Sequence, residues 1–295
     1  MKIGLMLGGG GALGSYQVGV IKALMEENLF NDIKVMSGSS IGAINIVMVM
    51  SQLTISEIEN LWLNINNEII YKSGLPHFKN DDKSLINVGP LYDLLTSDLK
   101  AETIKKSSIT GYATLTEVKT KKVRDQVNYF RGKKKVICLN HANNPFVVAK
   151  GSASVPMLFG STKIGNHFYV DGGFIDNNPI EPLIEAGCDL ILAIPLSTPF
   201  KTKKFRKEKI VIIDFKNNKS FYKLNTINLI KSLDFNKKLI ERLRIEGYEY
   251  AKEMISILRK LHIIVDNQFK IDINEFKYYN LEKLEGELND VNGTV

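Results

Sequence analysis

Twice in its first fifty residues the chain runs an apolar strand into a glycine turn and then into an apolar helix, and this repeat limits the fold more than any other feature. Residues 2 to 7 read as a buried strand. Gly8-Gly9-Gly10-Gly11-Ala12-Leu13-Gly14 follows, and Val18, Ile21, Leu24 and Met25 then recur at helical spacing. The second unit is a strand over Ile33 to Met36, the turn Gly38 to Gly42 and a helix through Met50. Strand, turn and helix in succession predict a parallel α/β sheet.

Further along, an amphipathic helix is expected from near Ser56, with Ile58, Leu61 and Leu63 as its apolar residues. Residues 68–108 lose regularity and read as a cap or insertion, with a short helix near Leu91 to Leu95. Tyr112 to Val118 and Val123 to Phe130 flank Lys119 to Lys122 and predict a hairpin, followed by a strand over Val136 to Leu139. Later strands are expected at Phe168 to Val170, Leu190 to Ile194 and Ile210 to Ile213, with a helix over Glu181 to Ala186. A mixed sheet accommodates all of them. Closing helices are expected over 225–261, which puts one domain at 1–265 and leaves 266–295 as a C-terminal tail whose end, Leu281 to Val295, is expected to fray.

The chain has 295 residues, 44% of them hydrophobic, enough to bury one large core or two modest ones. No run approaches the roughly 18 to 20 apolar residues that span a bilayer, and the start lacks a cleavable leader. A cytoplasmic protein, soluble or peripheral to a membrane, is the expectation. Cys138 and Cys188 are far apart without metal-type spacing and read as free thiols; no metal and no cofactor is expected. The net charge of +7 is compatible with nucleic acid, an anionic membrane or a lysine-rich proteome.

Three segments carry chemistry. Gly38-Ser39-Ser40-Ile41-Gly42 matches GxSxG, in which the glycines Gly38 and Gly42 let a strand turn sharply into a helix and expose Ser40 at the apex. The helix N-terminus favours negative charge there. A capping serine in an ordinary turn is the simpler alternative. The glycines at 8–14 offer bare N–H groups to an anion, either phosphate or an oxyanion. They lack the Gly-Lys-Ser/Thr ending of a nucleotide loop, and the next strand runs into the serine turn instead of ending on an acidic residue. For a base, His77, His141, His167 and His262 read as structural or exposed, whereas Asp171-Gly172-Gly173 puts an acid at a strand end where an aspartate could take the serine proton directly.

With these motifs in this order the chain resembles bacterial members of the patatin-like phospholipase family. The matching blocks are Gly9 to Val20, Gly38 to Asn45, Ala149 to Pro156 and Asp171 to Pro179, with Gly247 to Lys252 similar to the family's closing helix. The resemblance implies a three-layer α/β/α sandwich with a mostly parallel central sheet. It further implies Ser40 as nucleophile, Asp171 as base without histidine, and Gly9, Gly10 and Gly11 as oxyanion hole. The expected activity is that of a lipid acyl hydrolase on phospholipid or another acyl ester. Acyl transfer through the same acyl-enzyme, or a silent membrane-binding module, are the alternatives. The family usually has a basic residue where this chain has Leu13.

Lys201 to Lys209 and Arg131 to Lys135 are the most basic runs. Lys203, Lys204, Arg206 and Lys207 are candidates for docking on anionic lipid, against the simpler reading of solvated loops. Nucleic acid is not expected, since the runs lack a recognition motif and interleaved aromatics.

Overall fold

The computed structural model describes residues 1–65, 98–128, 131–156, 159–219, 221 and 232–293. Its strands are β1 (Ile3–Leu7), β2 (Ile33–Ser39), β3 (Thr110–Val118), β4 (Lys133–Cys138), β5 (Thr162–Ile164), β6 (His167–Asp171), β7 (Leu190–Ile194), β8 (Val211–Asp214), β9 (Ile264–Val265), β10 (Gln268–Phe269) and β11 (Lys277–Tyr279). The helices are α1 (Gly14–Glu26), α2 (Ile41–Met50), α3 (Ile55–Asn64), α4 (Asp98–Lys105), α5 (Val123–Val127), α6 (Pro145–Ser152), α7 (Glu181–Glu185), α8 (Lys237–Lys260) and α9 (Leu281–Gly293).

Among the described residues nine strands form one sheet, in which β11, β8, β7, β1, β2 and β3 lie side by side and parallel. Strands β4 and β6 join β3 antiparallel, and β5 pairs with β6. The side chains alternate as the pleat requires. Leu5, Leu7, Leu190, Leu192, Val211 and Ile213 enter the larger core, which is closed by α1, α2, α6 and α8. Met6, Val35, Ile191, Ala193 and Ile212 enter the smaller one, beneath Leu183 of α7 and Phe205. The sheet is therefore covered on both faces, and its central strands read as continuous apolar runs. Helix α2 is buried along its whole length, consistent with a sequence that is apolar all round apart from Asn45.

Two expectations are corrected. Residues 123–127 form α5, not the second strand of a hairpin; the partner of β3 is β4, and Tyr129 and Phe130 lie outside the described residues. Local side-chain bonds close this turn: Thr120 Oγ1 donates to Asp125 Oδ2 at 2.6 Å and Gln126 Nε2 to the Lys121 carbonyl at 2.7 Å. Leu281 to Val295, at the end of the tail, were expected to fray. Instead β11 extends the central sheet beside β8, and Leu281, Leu284 and Leu288 of α9 place a helical apolar stripe on the core. The proposed cap lies outside the described residues up to residue 97, as do residues 222–231 of the closing helices. Cys188 is buried and Cys138 half-buried, both as free thiols. No helix among the described residues is long and apolar enough to cross a membrane.

Candidate active site

The first two units place their turns next to each other. Strands β1 and β2 are parallel neighbours, with Leu7 opposite Gly38, so the glycine loop and the serine turn leave the sheet at the same edge. Within the serine turn, the step from β2 to α2 passes through Ser40 at φ 53° and ψ −124°, a left-handed backbone that a serine adopts at a cost of about 1–3 kcal/mol. The glycines around it allow close packing. A Cβ on Gly42 would lie 2.1 Å from the Leu7 carbonyl oxygen, and one on Gly9 would lie 3.1 Å from Ser40 Cβ.

Strand β3 is the ruler that brings serine and aspartate together. Strand β4 occupies one edge of β3 along residues 112–117, so β2, paired at 110–114, and β6, paired at 115–118, must share the other edge end to end. The β2 ladder runs parallel to β3 and ends with Ser39 opposite Thr114; the β6 ladder runs antiparallel and ends with Asp171 opposite Leu115. Two carboxyl-terminal strand ends therefore meet head to head, one residue apart on the ruler.

At that junction Ser40 Oγ donates a hydrogen bond to Asp171 Oδ2 at 2.5 Å. Ser40 occupies the N-cap position of α2, but its side chain makes no capping hydrogen bond there. The other Asp171 carboxylate oxygen, Oδ1, accepts from the Gly173 N–H at 2.7 Å, and Thr116 Oγ1 donates to the Asp171 carbonyl at 2.9 Å. Both side chains are nearly inaccessible, with Ser40 9% and Asp171 4% exposed. Burial pushes the Asp171 carboxyl up to about 6, against the Ser40 hydroxyl and the Gly173 N–H, which favour its charged form. None of the histidines described here bonds to either residue: His141 closes a short turn, exposed His167 pairs with Glu117, and His262 follows the end of α8. His77 lies outside the described residues.

The three glycines before α1 are not equivalent. Gly9 N–H donates to the Asn177 carbonyl at 3.1 Å, and Asn177 Nδ2 returns a bond to the Gly9 carbonyl at 3.1 Å. The N–H groups of Gly10 and Gly11 have no acceptor among the described residues. Asn177 thus fastens the glycine loop to the aspartate block. A buried chain supports it from behind: Trp62 Nε1 donates to Asn45 Oδ1 at 3.0 Å, Asn45 Nδ2 to Gln17 Oε1 at 2.8 Å, and Gln17 Nε2 to the Gly8 carbonyl at 2.8 Å. Asn177 and Gln17 stand inside the sequence blocks singled out above, but only the fold shows what they hold. Leu13 packs half-buried against the core. Of the basic run, Lys204 is paired with Glu181, while Lys203, Arg206 and Lys207 are exposed and have no carboxylate within 4 Å among the described residues.

The chain is similar to several known proteins. It is 29% identical over 126 residues to the "Probable lipid hydrolase 463L" of Invertebrate iridescent virus 6, a match covering 39% of each protein. Its fold is similar to that of human GIVD cytosolic phospholipase A2, with a TM-score of 0.51 and 10% identity over 88% of this chain and 60% of that one. VipD from Legionella pneumophila is aligned over 83% of this chain and 67% of its own, with a TM-score of 0.44 and 13% identity. The patatin-like phospholipase family model matches residues 5–184, more than half of the chain, and on that match the protein belongs to the patatin-like phospholipase family.

Proposed function

We propose that this chain is a serine lipid acyl hydrolase of phospholipase A or lysophospholipase type, working through a Ser40–Asp171 dyad and an acyl-enzyme. The observation that carries the reading is the 2.5 Å bond from Ser40 Oγ to Asp171 Oδ2 at a strained strand-to-helix turn beside two unengaged glycine N–H groups. Ser40 Oγ attacks the acyl carbonyl while its proton passes to Asp171 Oδ2. The negative oxygen that forms is taken by the N–H groups of Gly10 and Gly11, with the α2 N-terminus favouring charge at Ser40. Gly9, whose N–H is occupied, contributes space instead. Asp171 returns the proton to the leaving alcohol, then removes one from the water that attacks the acyl-enzyme and passes it to Ser40 Oγ as the fatty acid departs. No step requires a histidine.

The test is hydrolysis of a short-chain chromogenic ester and of mixed phospholipid vesicles, together with labelling by a fluorophosphonate active-serine probe. One probe per chain on Ser40 and release of fatty acid are expected. A chain that hydrolyses neither substrate and takes up no probe would overturn the reading.

The pH dependence follows from the base. Asp171 works as a carboxylate, and its proton affinity is raised from an ordinary 3.8 to about 6 by burial. The value of kcat/KM should therefore fall tenfold per unit as pH drops below about 6, not below about 4. Asp214, a second buried acid raised to about 6, bonds Tyr278 at the end of β8, outside the dyad. Asp214→Asn is expected to leave this acid limb in place, and a limb that moves with Asp214→Asn would contradict the assignment.

The exposed cations Lys203, Arg206 and Lys207, with Lys204 balanced by Glu181, support peripheral docking on anionic lipid. At about 1 kcal/mol per basic residue, replacing all three by glutamine should weaken binding to phosphatidylserine vesicles by about 100-fold. Cosedimentation indifferent to anionic lipid and to salt would contradict docking through this surface.

A further inference from the structure

The dyad is held from a third segment, the carboxyl-terminal turn of α6, whose function neither the serine turn nor the aspartate block accounts for. Ser152 Oγ accepts the Ser40 N–H at 2.9 Å and donates to the Thr114 carbonyl at 2.6 Å. Two residues on, the Ser154 carbonyl accepts the Asp171 N–H at 2.8 Å. Both serines are buried. We propose that this turn is the jig that aligns the two dyad residues, and that Ser152 is a positioning residue for the nucleophile. The inference rests on the Ser40–Asp171 reading and deepens it.

The physical need is specific. The β2 ladder ends with Ser39 opposite Thr114, and at φ 53° the next residue has left strand geometry. Ser40 N–H and the Thr114 carbonyl are then a donor and an acceptor that no longer pair directly. The Ser152 hydroxyl stands between them, accepting from one and donating to the other, so the pairing continues one residue farther through a side chain. This fixes the backbone of Ser40 in its strained form, which in turn aims Oγ at Asp171. Without it, the donor and the acceptor both lose their partner in a buried place, and the turn can relax. A nucleophile displaced by about 1 Å loses on the order of 100-fold in rate.

Ser154 supplies an internal control. Its own hydroxyl bonds the Lys150 carbonyl and Thr162 Oγ1, each at 2.8 Å, and neither is part of the dyad. Ser154→Ala therefore removes a buried hydroxyl with two bonds while keeping the carbonyl that holds Asp171. The experiment compares Ser152→Ala, Ser154→Ala, Ser152→Cys and Ser40→Ala in the full chain, measuring kcat, KM, fluorophosphonate labelling rate and thermal midpoint. Ser152→Ala and Ser154→Ala are expected to lose similar thermal stability. Only Ser152→Ala should lose about 10- to 100-fold in kcat and in labelling rate, with KM within about twofold of wild type. Ser152→Cys keeps a weak donor and acceptor of similar shape and should fall between, which preserves the test if the alanine variant does not fold. Equal kcat in the two alanine variants or, where Ser152→Ala does not fold, wild-type kcat in Ser152→Cys, would overturn the proposal. Turnover surviving in Ser40→Ala would instead overturn the dyad itself.

Discussion

Asp171→Asn is expected to lower kcat by about 10³- to 10⁴-fold with the fold intact, because an amide cannot take the Ser40 proton and offers one acceptor oxygen where the carboxylate offers two, to Ser40 and to the Gly173 N–H. Ser40→Ala should be at least as inactive, whereas His262→Ala should match wild type, since His262 lies beyond α8 without a bond to either dyad member. A folded Asp171→Asn within tenfold of wild type would remove the aspartate from the mechanism.

The same substitution makes an opposite prediction for stability. The folded state binds the Asp171 proton more tightly than the unfolded chain, with an affinity raised from 3.8 to about 6. Its contribution to stability is therefore complete below about pH 4 and is lost as pH rises through about 6, where a charge must be buried. Asp171→Asn carries no such charge. It should melt above wild type at about pH 8, and this advantage should disappear near pH 4. A dead enzyme that is more stable than the active one is what a base kept in a dry site requires.

The sequence made the local part of this site legible and left its assembly hidden. GxSxG after an apolar strand, and Asp-Gly-Gly at the end of another, each have a meaning that depends on residues within a few positions, so Ser40 and Asp171 could be singled out. The apolar runs likewise placed β1, β2, β7 and β8 to within a residue or two at most ends. What could not be read is the end-to-end meeting of β2 and β6, because it depends on which edge of β3 each of them takes, a choice made by contacts 50 to 75 residues apart. Ser152 was hidden for the same reason. It lay in a block of small residues, and its partners are Ser40 and Thr114. The hairpin error has a different origin: Val123 and Val127 suggested a strand by composition, while Thr120, Asp125 and Gln126 close a helical turn through side-chain bonds that composition does not register.

The packing of the serine turn against β1 leads to the largest stability effect expected here. A Cβ added at Gly42 would meet the Leu7 carbonyl oxygen at 2.1 Å and its carbon at 2.7 Å. Leu7 cannot give way, since it is paired with Gly38 on one side and Ile194 on the other in the centre of the sheet. Helix α2 would have to lift from the strand instead, carrying Ser40 with it. Gly42→Ala is therefore expected to cost about 3 kcal/mol or more, a fall of about 6–12 °C in Tm, and to depress turnover in the molecules that still fold. Gly286, within α9, is the matched control: a Cβ there would meet nothing within 4 Å. Because alanine is the better helix former, Gly286→Ala should stabilise by up to about 1 kcal/mol and leave activity alone. The two substitutions add the same methyl group and differ in what it touches. Thermal melts of both, read beside turnover, decide the matter: if Gly42→Ala melted like Gly286→Ala, the serine turn would not be seated on β1, and the alignment of Ser40 with Asp171 would lack its foundation.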